Sequence, residues 1–537
     1  MKELRGACII GQSGGPTSVI NASAYGVIDT ALKSGAITQV LGAEHGIMGV
    51  LNDRLFDMGL EDPEELRLLK YTPSSALGSC RYKIADPELD DTDYKRILEV
   101  FKKHNVRYFF YNGGNDSMDT CNKINQYMQS VDYECRVMGV PKTIDNDLFG
   151  TDHCPGYASA AKYIATSMME LYQDAHVYDK GMIVVVEIMG RHAGWLTAAS
   201  ALGSCRYKIA DPELDDTDYK RILEVFKKHN VRYFFYNGGN DSMDTCNKIN
   251  RYMKKVGYEC RVMGVPKTID NDLFGTDHCP GFASAAKYIA TSVMEVALDC
   301  QVYDKGMITI IECMGRHAGW LTAATVLADH MGAGPDLIYL PEVDFNMEDF
   351  LDDVVRIYNG RGSCMIAVSE GIHYSDGEFV SEAKTSSTDG FGHAQLGGLA
   401  ARLAGVVKAA TGAKVRAIEL SLLQRCAAHC ASGRDIEESF NSGKLAVEAA
   451  LNGETGKMVG FRCDRRNGTY TCNYELFNLE DVANYEQKVP LEWITSDNAF
   501  VNEKFVEYCL PLIEGETGMK KVNGLPDFCK LKKVFAE

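Results

Sequence analysis

The sequence lacks any apolar run that approaches the roughly 18 residues of a membrane-spanning helix. The apolar run that follows Arg5 is also too short for the hydrophobic region of a signal peptide, and it predicts a first strand instead. We therefore expect a cytoplasmic protein with no membrane partner.

Paired Cys-x-x-Cys motifs are also missing, although the sequence contains 18 cysteines. In a chain without an export signal, scattered cysteines predict reduced thiols. Cys426 and Cys430 flank His429, and this spacing could suggest zinc. Because there is no second pair of ligands, packing of a helix is the favoured interpretation.

An excess of positive charge is absent as well, since the formal net charge is −18. This acidic balance argues against a nucleic-acid partner, and an anionic substrate would need a locally basic pocket. The chain has 537 residues, of which 45% are hydrophobic and 24% are charged. These values predict a globular protein with more than one domain.

One seven-residue stretch, Pro-Lys-Thr-Ile-Asp-Asn-Asp, occurs at 141–147 and again at 266–272. Each heptad follows the apolar run Val-Met-Gly-Val, which predicts a short buried strand, and its proline predicts the end of that strand. The carboxyl end of a parallel strand opens on the crevice where α/β proteins bind ligands. The heptad therefore predicts polar chemistry on a small anionic ligand, against the alternative of a plain Asp/Asn turn.

A glycine-rich turn at 12–17, Gln-Ser-Gly-Gly-Pro-Thr, separates a predicted strand from a predicted helix. The backbone N–H groups of Gly14 and Gly15 could approach a ligand, and a helix N-terminus adds positive potential. The turn lacks the Lys-Ser/Thr pair of a Walker A loop. It is a candidate phosphate site, although tight strand-to-helix turns need glycine in any case.

The heptad belongs to a tandem repeat with an offset of 125 residues, because Gly113 recurs as Gly238 and Trp195 recurs as Trp320. Copy one (76–200) adjoins copy two (201–325) without a linker; their first 50 positions are identical, and the remaining 75 differ at 16. Such a unit is too long and too well preserved for a solenoid. It begins in a predicted loop and ends within a predicted helix, so it is not a domain. We interpret it as a duplication inside one fold, or as an error of gene assembly; 412 residues would remain without one copy.

Strands and helices are predicted to alternate within each copy. In copy one, strands are predicted at 106–111 and 136–140, and a buried strand at 182–189. Beyond the repeat, further strands are predicted at 336–341 and 364–369. This alternation predicts an α/β fold with a parallel sheet.

Polar side chains that follow the predicted strands suit phosphoryl transfer, which needs cations for phosphate oxygens, oxygen ligands for Mg²⁺ and a carboxylate base. We predict Asp145 as the base that takes the proton of the attacking hydroxyl. Lys142 would neutralise charge on the phosphate, and Asp147 and Asn115 would supply oxygens to Mg²⁺. For each residue the alternative is a structural role, such as a turn, a cap or a surface charge.

Seven motifs stand in the order found in the 6-phosphofructokinase family, over residues 1 to about 450 apart from the extra 125. They are Ser-Gly-Gly at 13–15, Ala-Leu-Gly-Ser-Cys-Arg at 76–81, Gly-Gly-Asn-Asp-Ser at 113–117, the heptad, Met-Gly-Arg at 189–191, Ser-Glu-Gly at 369–371 and Leu-Gln-Arg at 423–425. The sequence resembles that family. The resemblance implies two Rossmann-like α/β lobes with mainly parallel sheets and the active site in the cleft between them, fructose 6-phosphate as acceptor, Mg²⁺, and a homo-oligomer, either a dimer or a tetramer.

Two motif residues bear on the phosphoryl donor. ATP-using members of the family carry glycine where Asp116 and Lys142 stand in this sequence. A carboxylate at 116 would occupy the space of the nucleotide's α-phosphate and repel it, and a lysine at 142 suits compact diphosphate. The resemblance therefore implies a diphosphate-dependent member, with ATP as the alternative donor. Asn115 replaces a more usual acidic metal ligand.

The resemblance also implies roles for the motif residues of both copies. Catalytic residues would be Asp145, Asp270, Lys142, Lys267, Asp116 and Asp241; diphosphate would bind Gly14, Gly15, Arg81 and Arg206; the metal would bind Asn115, Asn240, Asp147 and Asp272. The acceptor would bind Thr143, Ile144, Thr268, Ile269, Met189, Gly190, Arg191, Met314, Gly315, Arg316, Glu370, Arg416 and Arg425. Leu422 departs from the His or Tyr that relatives often place beside the sugar phosphate.

The family's two lobes imply a division of this chain. Residues 1–147 would form the donor lobe, with 201–272 a duplicate of 76–147; residues 281–425 would form the sugar-phosphate lobe, with 156–200 a duplicate of 281–325; and residues 426–537 would return across both lobes. Because one fold has one place for each repeated strand, the copies compete. Our hypothesis is a hybrid, with the first half of copy one in the donor lobe and the second half of copy two in the acceptor lobe. The alternative is a non-catalytic chain, misfolded or regulatory, whose displaced segments expose apolar surface.

Overall fold

The computed structural model describes residues 4–80, 82–175, 184–189, 195–200, 216–302, 306–381, 398–483 and 485–532. The chain divides into two compact units. Unit 1 comprises Met1–Met168, Val185–Ser204 and Glu295–Met307, and unit 2 comprises Met169–Val184, Cys205–Met294 and Ile308–Glu537. Among the helices of the described residues, none combines the length and apolar character needed to cross a bilayer.

Unit 1 contains one five-stranded sheet. Its strands are β1 (Gly6–Gln12), β2 (Ile37–Ala43), β3 (Leu55–Asp57), β4 (Val106–Gly113) and β5 (Arg136–Pro141). The strand order is β3-β2-β1-β4-β5, and only β3 runs antiparallel to its neighbour. The helices are α1 (Ile20–Leu32), α2 (Ile47–Asn52), α3 (Pro63–Leu68), α4 (Thr92–Lys103), α5 (Asn115–Ser130), α6 (Tyr157–Ala175), whose residues from Met169 onward belong to unit 2, and α7 (Trp195–Ala199).

The apolar face of α4 shows why the sequence of unit 1 folds in this way. Tyr94, Ile97 and Phe101 recur at a spacing of three and four residues, which places them on one side of a helix. All three are fully buried, in one cluster with Phe109 of β4. The polar residues between them remain on the outer face, so α4 is amphipathic.

Unit 2 contains two four-stranded sheets. Its strands are β6 (Tyr233–Gly238), β7 (Arg261–Pro266), β8 (Ile308–Cys313), β9 (Leu337–Tyr339), β10 (Cys364–Ser369), β11 (Val415–Glu419), β12 (Lys457–Asp464) and β13 (Thr471–Asn478), followed by the small pair β14 (Lys521–Val522) and β15 (Leu525–Pro526). One sheet has the order β11-β8-β10-β9 and is entirely parallel; the other has the order β13-β12-β7-β6, with β13 antiparallel to β12. The predicted α/β class with mainly parallel sheets is confirmed.

The helices of unit 2 lie before, between and after these strands in the sequence. They are α8 (Asp216–Lys228), α9 (Asn240–Lys255), α10 (Phe282–Cys300), whose last turns from Glu295 belong to unit 1, α11 (Trp320–Ala323), α12 (Val326–His330), α13 (Met347–Arg361), α14 (Leu399–Thr411), α15 (Leu423–Cys426), α16 (Gly433–Leu451), α17 (Leu479–Val482) and α18 (Glu503–Cys509). The sequence marks both ends of α13. Asn346 accepts hydrogen bonds from the amides of Glu348 and Asp349, and the helix ends at Gly362, whose φ of +78° is left-handed.

Identical sequence has different surroundings in β5 and β7. The strand β5 is the last strand of its sheet, whereas β7 lies between β6 and β12. As a result Met138 is 56% exposed, while the equivalent Met263 is fully buried beside Ala446 and Val459. The prediction of a buried strand before the heptad is therefore correct for copy two and wrong for copy one, because burial depends on the residues that cover a strand.

The prediction of a buried strand at 182–189 is wrong over its described part. Residues 184–189 form no strand, and Val185 is 89% exposed. The equivalent run of copy two forms β8, which is buried along its whole length between β10 and β11. The sheet has one position for this strand, and copy two fills it.

Candidate active site

The glycine-rich turn of unit 1 holds a lysine from the heptad. β1 ends at Gln12, and Gly14 adopts a φ of +80°, which favours glycine. The ammonium group of Lys142 donates to the carbonyl oxygen of Gly15, and Lys142 is only 3% exposed. Space around Gly15 is open, since an added Cβ would meet nothing within 4 Å. The turn therefore combines an open backbone with a fixed positive charge, as the predicted phosphate site requires.

The predicted metal ligands of copy one lie together at the carboxyl ends of β4 and β5. Asn115 begins α5, and its amide nitrogen donates to Asp147 Oδ2 over 3.0 Å. Asp116 is exposed in the first turn of the same helix, where a carboxylate interacts favourably with the helix dipole. In the heptad, the amide of Asp145 donates to Thr143 Oγ1 over 3.1 Å. Ile144 lies between them in the same turn.

In unit 2 the second heptad lies in a more enclosed environment. The amide of Asp270 donates to Thr268 Oγ1 over 3.1 Å, as in copy one. Burial, together with the charge of Asp272, raises the pKa of Asp270 to about 6, although Lys267 and Arg425 oppose the shift. Asp270 is therefore ionised at neutral pH yet basic enough to accept a proton.

Asn240 and Asp272 repeat the metal-ligand pair of copy one under greater burial. The amide nitrogen of Asn240 donates to Asp272 Oδ2 over 2.9 Å. The other oxygen of each side chain, Asn240 Oδ1 and Asp272 Oδ1, is buried without a hydrogen-bond partner among the described residues. Burial raises the pKa of Asp272, and the charge of Glu486 adds to the rise. Two buried oxygens without donors fit a hard divalent cation such as Mg²⁺.

The loop after β8 is held by residues from two other strand ends. The amide of Met314 donates to Gln424 Oε1 over 3.1 Å, and the amide of Gly315 donates to Glu370 Oε1 over 3.2 Å. Gly315 has a φ of +130°, and an added Cβ would lie 2.6 Å from the carbonyl oxygen of Ala318. Burial raises the pKa of Glu370, and the charge of Asp270 adds to the rise, so both carboxylates belong to one electrostatic environment.

The two predicted phosphate-binding arginines have different surroundings. Arg416 is exposed on β11, the last strand of its sheet, beside Thr309. Arg425 forms a two-point ion pair with Asp174 of copy one, with Nε–Oδ1 and Nη2–Oδ2 distances of 2.8 Å. The charge of Arg425 also acts on Asp270, which places this arginine in the environment of the candidate base.

The remaining predicted residues are placed as follows. Lys267 is exposed, Asp241 is exposed in the first turn of α9, Ile269 lies between Thr268 and Asp270, Arg316 follows Gly315, and Met189 is 64% exposed in a segment without secondary structure. Arg81, Arg206, Gly190 and Arg191 lie outside the described residues. The roles assigned to the site residues stay predictions.

Three residues that support the site were missed by the sequence analysis. Gln424, only 2% exposed, holds the loop at Met314. Asn271 has a φ of +57° and bridges the amide of Cys279 and the hydroxyl of Tyr508. Asp435, also buried, caps the start of α10. The only signal for Asn271 was an Asx residue beside the base, and nothing in sequence spacing pointed to Asp435.

A cluster of side chains of the types that bind metals lies apart from the candidate site residues. Ligand atoms of Asp277, His278 and Cys463 lie within 4.8 Å of one another. The two ring nitrogens of His278 already contact Asp277 and Glu438, and Arg465 binds both oxygens of Asp277. This group is therefore satisfied within the protein and joins copy two to the C-terminal strands.

Comparison with known proteins decides the family. The family model named Phosphofructokinase matches residues 7–215 and again residues 199–449. The chain belongs to the phosphofructokinase family. A double match is the result that a tandem duplication of a phosphofructokinase segment produces.

Several relatives of this phosphofructokinase are named for the use of pyrophosphate. The pyrophosphate–fructose 6-phosphate 1-phosphotransferase of Halomonas elongata is 44% identical over 346 residues, which cover 64% of this chain and 81% of the relative. The enzyme of the same name from Rhodospirillum rubrum is 30% identical over 535 residues, covering 98% of this chain and 97% of the relative. A solved pyrophosphate-dependent phosphofructokinase from Marinobacter aquaeolei is 31% identical, with a TM-score of 0.50 and coverage of 99% and 98%.

Proposed function

We propose that the chain transfers a phosphoryl group from inorganic diphosphate to the 1-hydroxyl of fructose 6-phosphate. The products are fructose 1,6-bisphosphate and inorganic phosphate. The reaction is reversible because hydrolysis of the diphosphate bond releases not much more free energy than hydrolysis of the product ester. The similarity to enzymes named for this reaction supports the proposal. It favours an enzyme over the alternative of a non-catalytic chain.

The observation that carries the proposal is the environment of Asp270. Its carboxylate has a pKa of about 6 and stands in the field of Glu370 and Arg425. In the proposed reaction Asp270 takes the proton of the attacking hydroxyl while the hydroxyl oxygen forms its bond to phosphorus. The bond from that phosphorus to the bridging oxygen breaks, and inorganic phosphate leaves. Arg425 would bind the 6-phosphate of the sugar.

The diphosphate would be held by the turn of unit 1. Gly14 and Gly15 leave this turn without a Cβ, so a diphosphate could approach its backbone, and Lys142 supplies a buried ammonium group. The N–H of Gly14 donates to the carbonyl oxygen of Cys80 over 3.4 Å, which leaves the N–H of Gly15 as the proposed donor to the ligand. A fixed cation in an enclosed site stabilises charge that develops on phosphate oxygens. Asp116, exposed in the first turn of α5, would repel the extra phosphate of a nucleotide and disfavour ATP.

The divalent metal is proposed to be Mg²⁺. Asn240 and Asp272 would hold it in copy two, where each presents a buried oxygen that lacks a donor. Asn115 and Asp147 are the equivalent pair in copy one. A bound Mg²⁺ supplies charge neutralisation for phosphate oxygens in this class of reaction.

The choice between the copies decides the base. The hybrid hypothesis, with the heptad of copy one in the donor lobe, makes Asp145 the base. The raised pKa of Asp270 and its interaction with Arg425 favour Asp270 for that role. The division of the chain into donor and acceptor lobes stays a prediction, together with the cytoplasmic location and the homo-oligomer.

One assay tests the proposal directly. Purified protein is incubated with fructose 6-phosphate, Mg²⁺ and diphosphate, and the bisphosphate is measured by a coupled aldolase reaction. We expect product with diphosphate and little with ATP. Turnover with ATP and none with diphosphate would replace the donor, and absence of turnover with either would overturn the proposal.

A further inference from the structure

The last turns of α6 bring two carboxylates of copy one against Arg425, a candidate acceptor residue, and against the nearby His429. Glu170 and Asp174 are one helical turn apart, and they meet His429 and Arg425, which have the same spacing. All four residues belong to unit 2. The equivalents of the two acids in copy two, Glu295 and Asp299, belong to unit 1. Copy one therefore contributes these contacts to Arg425 and His429.

The ion pair between Asp174 and Arg425 uses the planar edge of the guanidinium. Nε and Nη2 of Arg425 donate to Oδ1 and Oδ2 of Asp174, both over 2.8 Å. The side chain of Asp174 is 10% exposed and that of Arg425 is 22% exposed, so water screens the ion pair only in part. An arginine binds a phosphoryl group through the same pair of parallel N–H donors. A carboxylate and a phosphate cannot occupy that edge together.

A second contact fixes the position of Asp174. The Glu170 side chain is fully buried and accepts from the His429 amide over 2.8 Å, while its Oε2 lies 2.8 Å from His429 Nδ1. The helix is thereby anchored one turn before Asp174. The charges of Asp174 and Glu170 also contribute, after burial, to the rise of the Cys426 pKa to about 12, which indicates that both acids lie close to α15. The carboxylate is presented by a packed helix and is not a freely moving surface charge.

We propose that Asp174 of the surplus copy competes with the phosphate of the sugar for the guanidinium of Arg425. This inference rests on the proposed function, because it takes Arg425 as the group that binds the sugar phosphate. The acid lowers the affinity for an anionic acceptor, since the phosphate must displace it. The duplication thus supplies an internal competitor for the acceptor site.

The test compares the full-length protein with Asp174→Asn and with the matched control Asp299→Asn. Isothermal titration calorimetry measures the affinity for fructose 6-phosphate and, separately, for inorganic phosphate. We expect Asp174→Asn to bind each anion about fivefold more tightly, the scale of losing one partly screened ion pair. Asp299→Asn should leave both affinities unchanged. Adding Arg425→Ala to Asp174→Asn should abolish the gain.

Two further variants separate the effect of the charge at position 174 from an effect on folding. Asp174→Glu retains the charge and should bind the anions no more tightly than the unmodified chain, and Asp174→Ser is a second neutral variant should Asp174→Asn fold poorly. No gain for either anion in a folded neutral variant, or an equal gain in Asp299→Asn, would overturn the competition. A gain for inorganic phosphate without binding of the sugar phosphate would support the competition and count against the proposed acceptor. If the protein turns over diphosphate but Asp174→Asn gives no gain in affinity for either anion, the competition is overturned and the proposed function is still supported.

Discussion

Lys142 and Lys267 occupy the same position of two identical heptads, yet only Lys142 is buried, with its ammonium group against the carbonyl oxygen of Gly15. Lys267 is exposed. The difference follows from the neighbouring chain, because the glycine-rich turn is outside the duplicated segment and occurs once. A buried ammonium group is costly unless polar groups contact it, and the carbonyl oxygen of Gly15 is such a group. A bound diphosphate would add anionic oxygens beside it.

Replacing Lys142 by Met should weaken the use of diphosphate. Removing a fixed charge from an enclosed phosphate site should lower kcat/KM for diphosphate by roughly 100-fold. The KM for fructose 6-phosphate should change little. Steady-state kinetics with each substrate varied in turn measures the effect. Lys267→Met is the matched control, and an equal loss in both variants would contradict the assignment of the donor to the turn.

Asp145 and Asp270 allow the same substitution to be made in two identical sequences. Asp270→Asn should lower kcat by roughly 10³-fold, the usual loss when a general base is removed. Asp145→Asn should lower it far less, because the charge of Arg425 acts on Asp270. Product formation under saturating substrates measures both variants. A complete loss in Asp145→Asn alone would favour the hybrid hypothesis and exclude Asp270 as the base.

The raised pKa of Asp270 predicts how the rate changes with pH. A base must be deprotonated, so kcat/KM for fructose 6-phosphate should fall as the pH drops through about 6. The free energy of unfolding should change with pH in the opposite direction. Because the pKa of Asp270 in the folded state is above its usual value, protonated Asp270 contributes stability at low pH, and this contribution is lost as the pH rises through about 6. A pH–rate profile from 5 to about 8 tests the first statement. The acidic fall should persist in Asp145→Asn; its displacement there would assign the titration to copy one.

Local patterns predicted the strand before each heptad and the alternation of strands with helices, and both are present in the structure. Burial could not be predicted for a repeated sequence. The run at 184–189 is exposed although its equivalent forms β8, because the sheet accepts one strand at that position. A hydrophobic pattern states which face can be buried, and only the tertiary neighbours decide whether it is.

The candidate site also contains contacts that could not be predicted from the sequence. Sequence order identified the heptad, the glycine-rich turn and the residues after the strands. It could not foresee that Asp174, outside every motif, would meet Arg425, because the contact joins positions 251 residues apart. Gln424 was quoted only as part of a motif, and its hydrogen bond to Met314 depends on the packing of β8 against β11.

Asp116 is predicted to exclude nucleotide donors. Asp116→Gly removes a carboxylate from the first turn of α5 and should raise turnover with ATP by at least about tenfold. Turnover with diphosphate should be retained, because the substitution removes a repulsive group and leaves Lys142 in place. Parallel assays with the two donors measure the change. Asp241→Gly is the control in copy two, and ATP use that rises equally in both variants would contradict a role for Asp116 alone.

Removal of the metal and substitution of its predicted ligands should have matching effects. A chelator should abolish turnover, and Mg²⁺ should restore it. Asp272→Asn removes a charge from the pair with Asn240 and should weaken the affinity for Mn²⁺, used as a spectroscopic probe for Mg²⁺, by roughly tenfold or more. Electron paramagnetic resonance of free Mn²⁺ measures this in the absence of substrates. Asp147→Asn, in the exposed pair of copy one, should have a smaller effect, because its oxygens remain in contact with water. An unchanged affinity in Asp272→Asn together with a large loss in Asp147→Asn would place the metal in copy one.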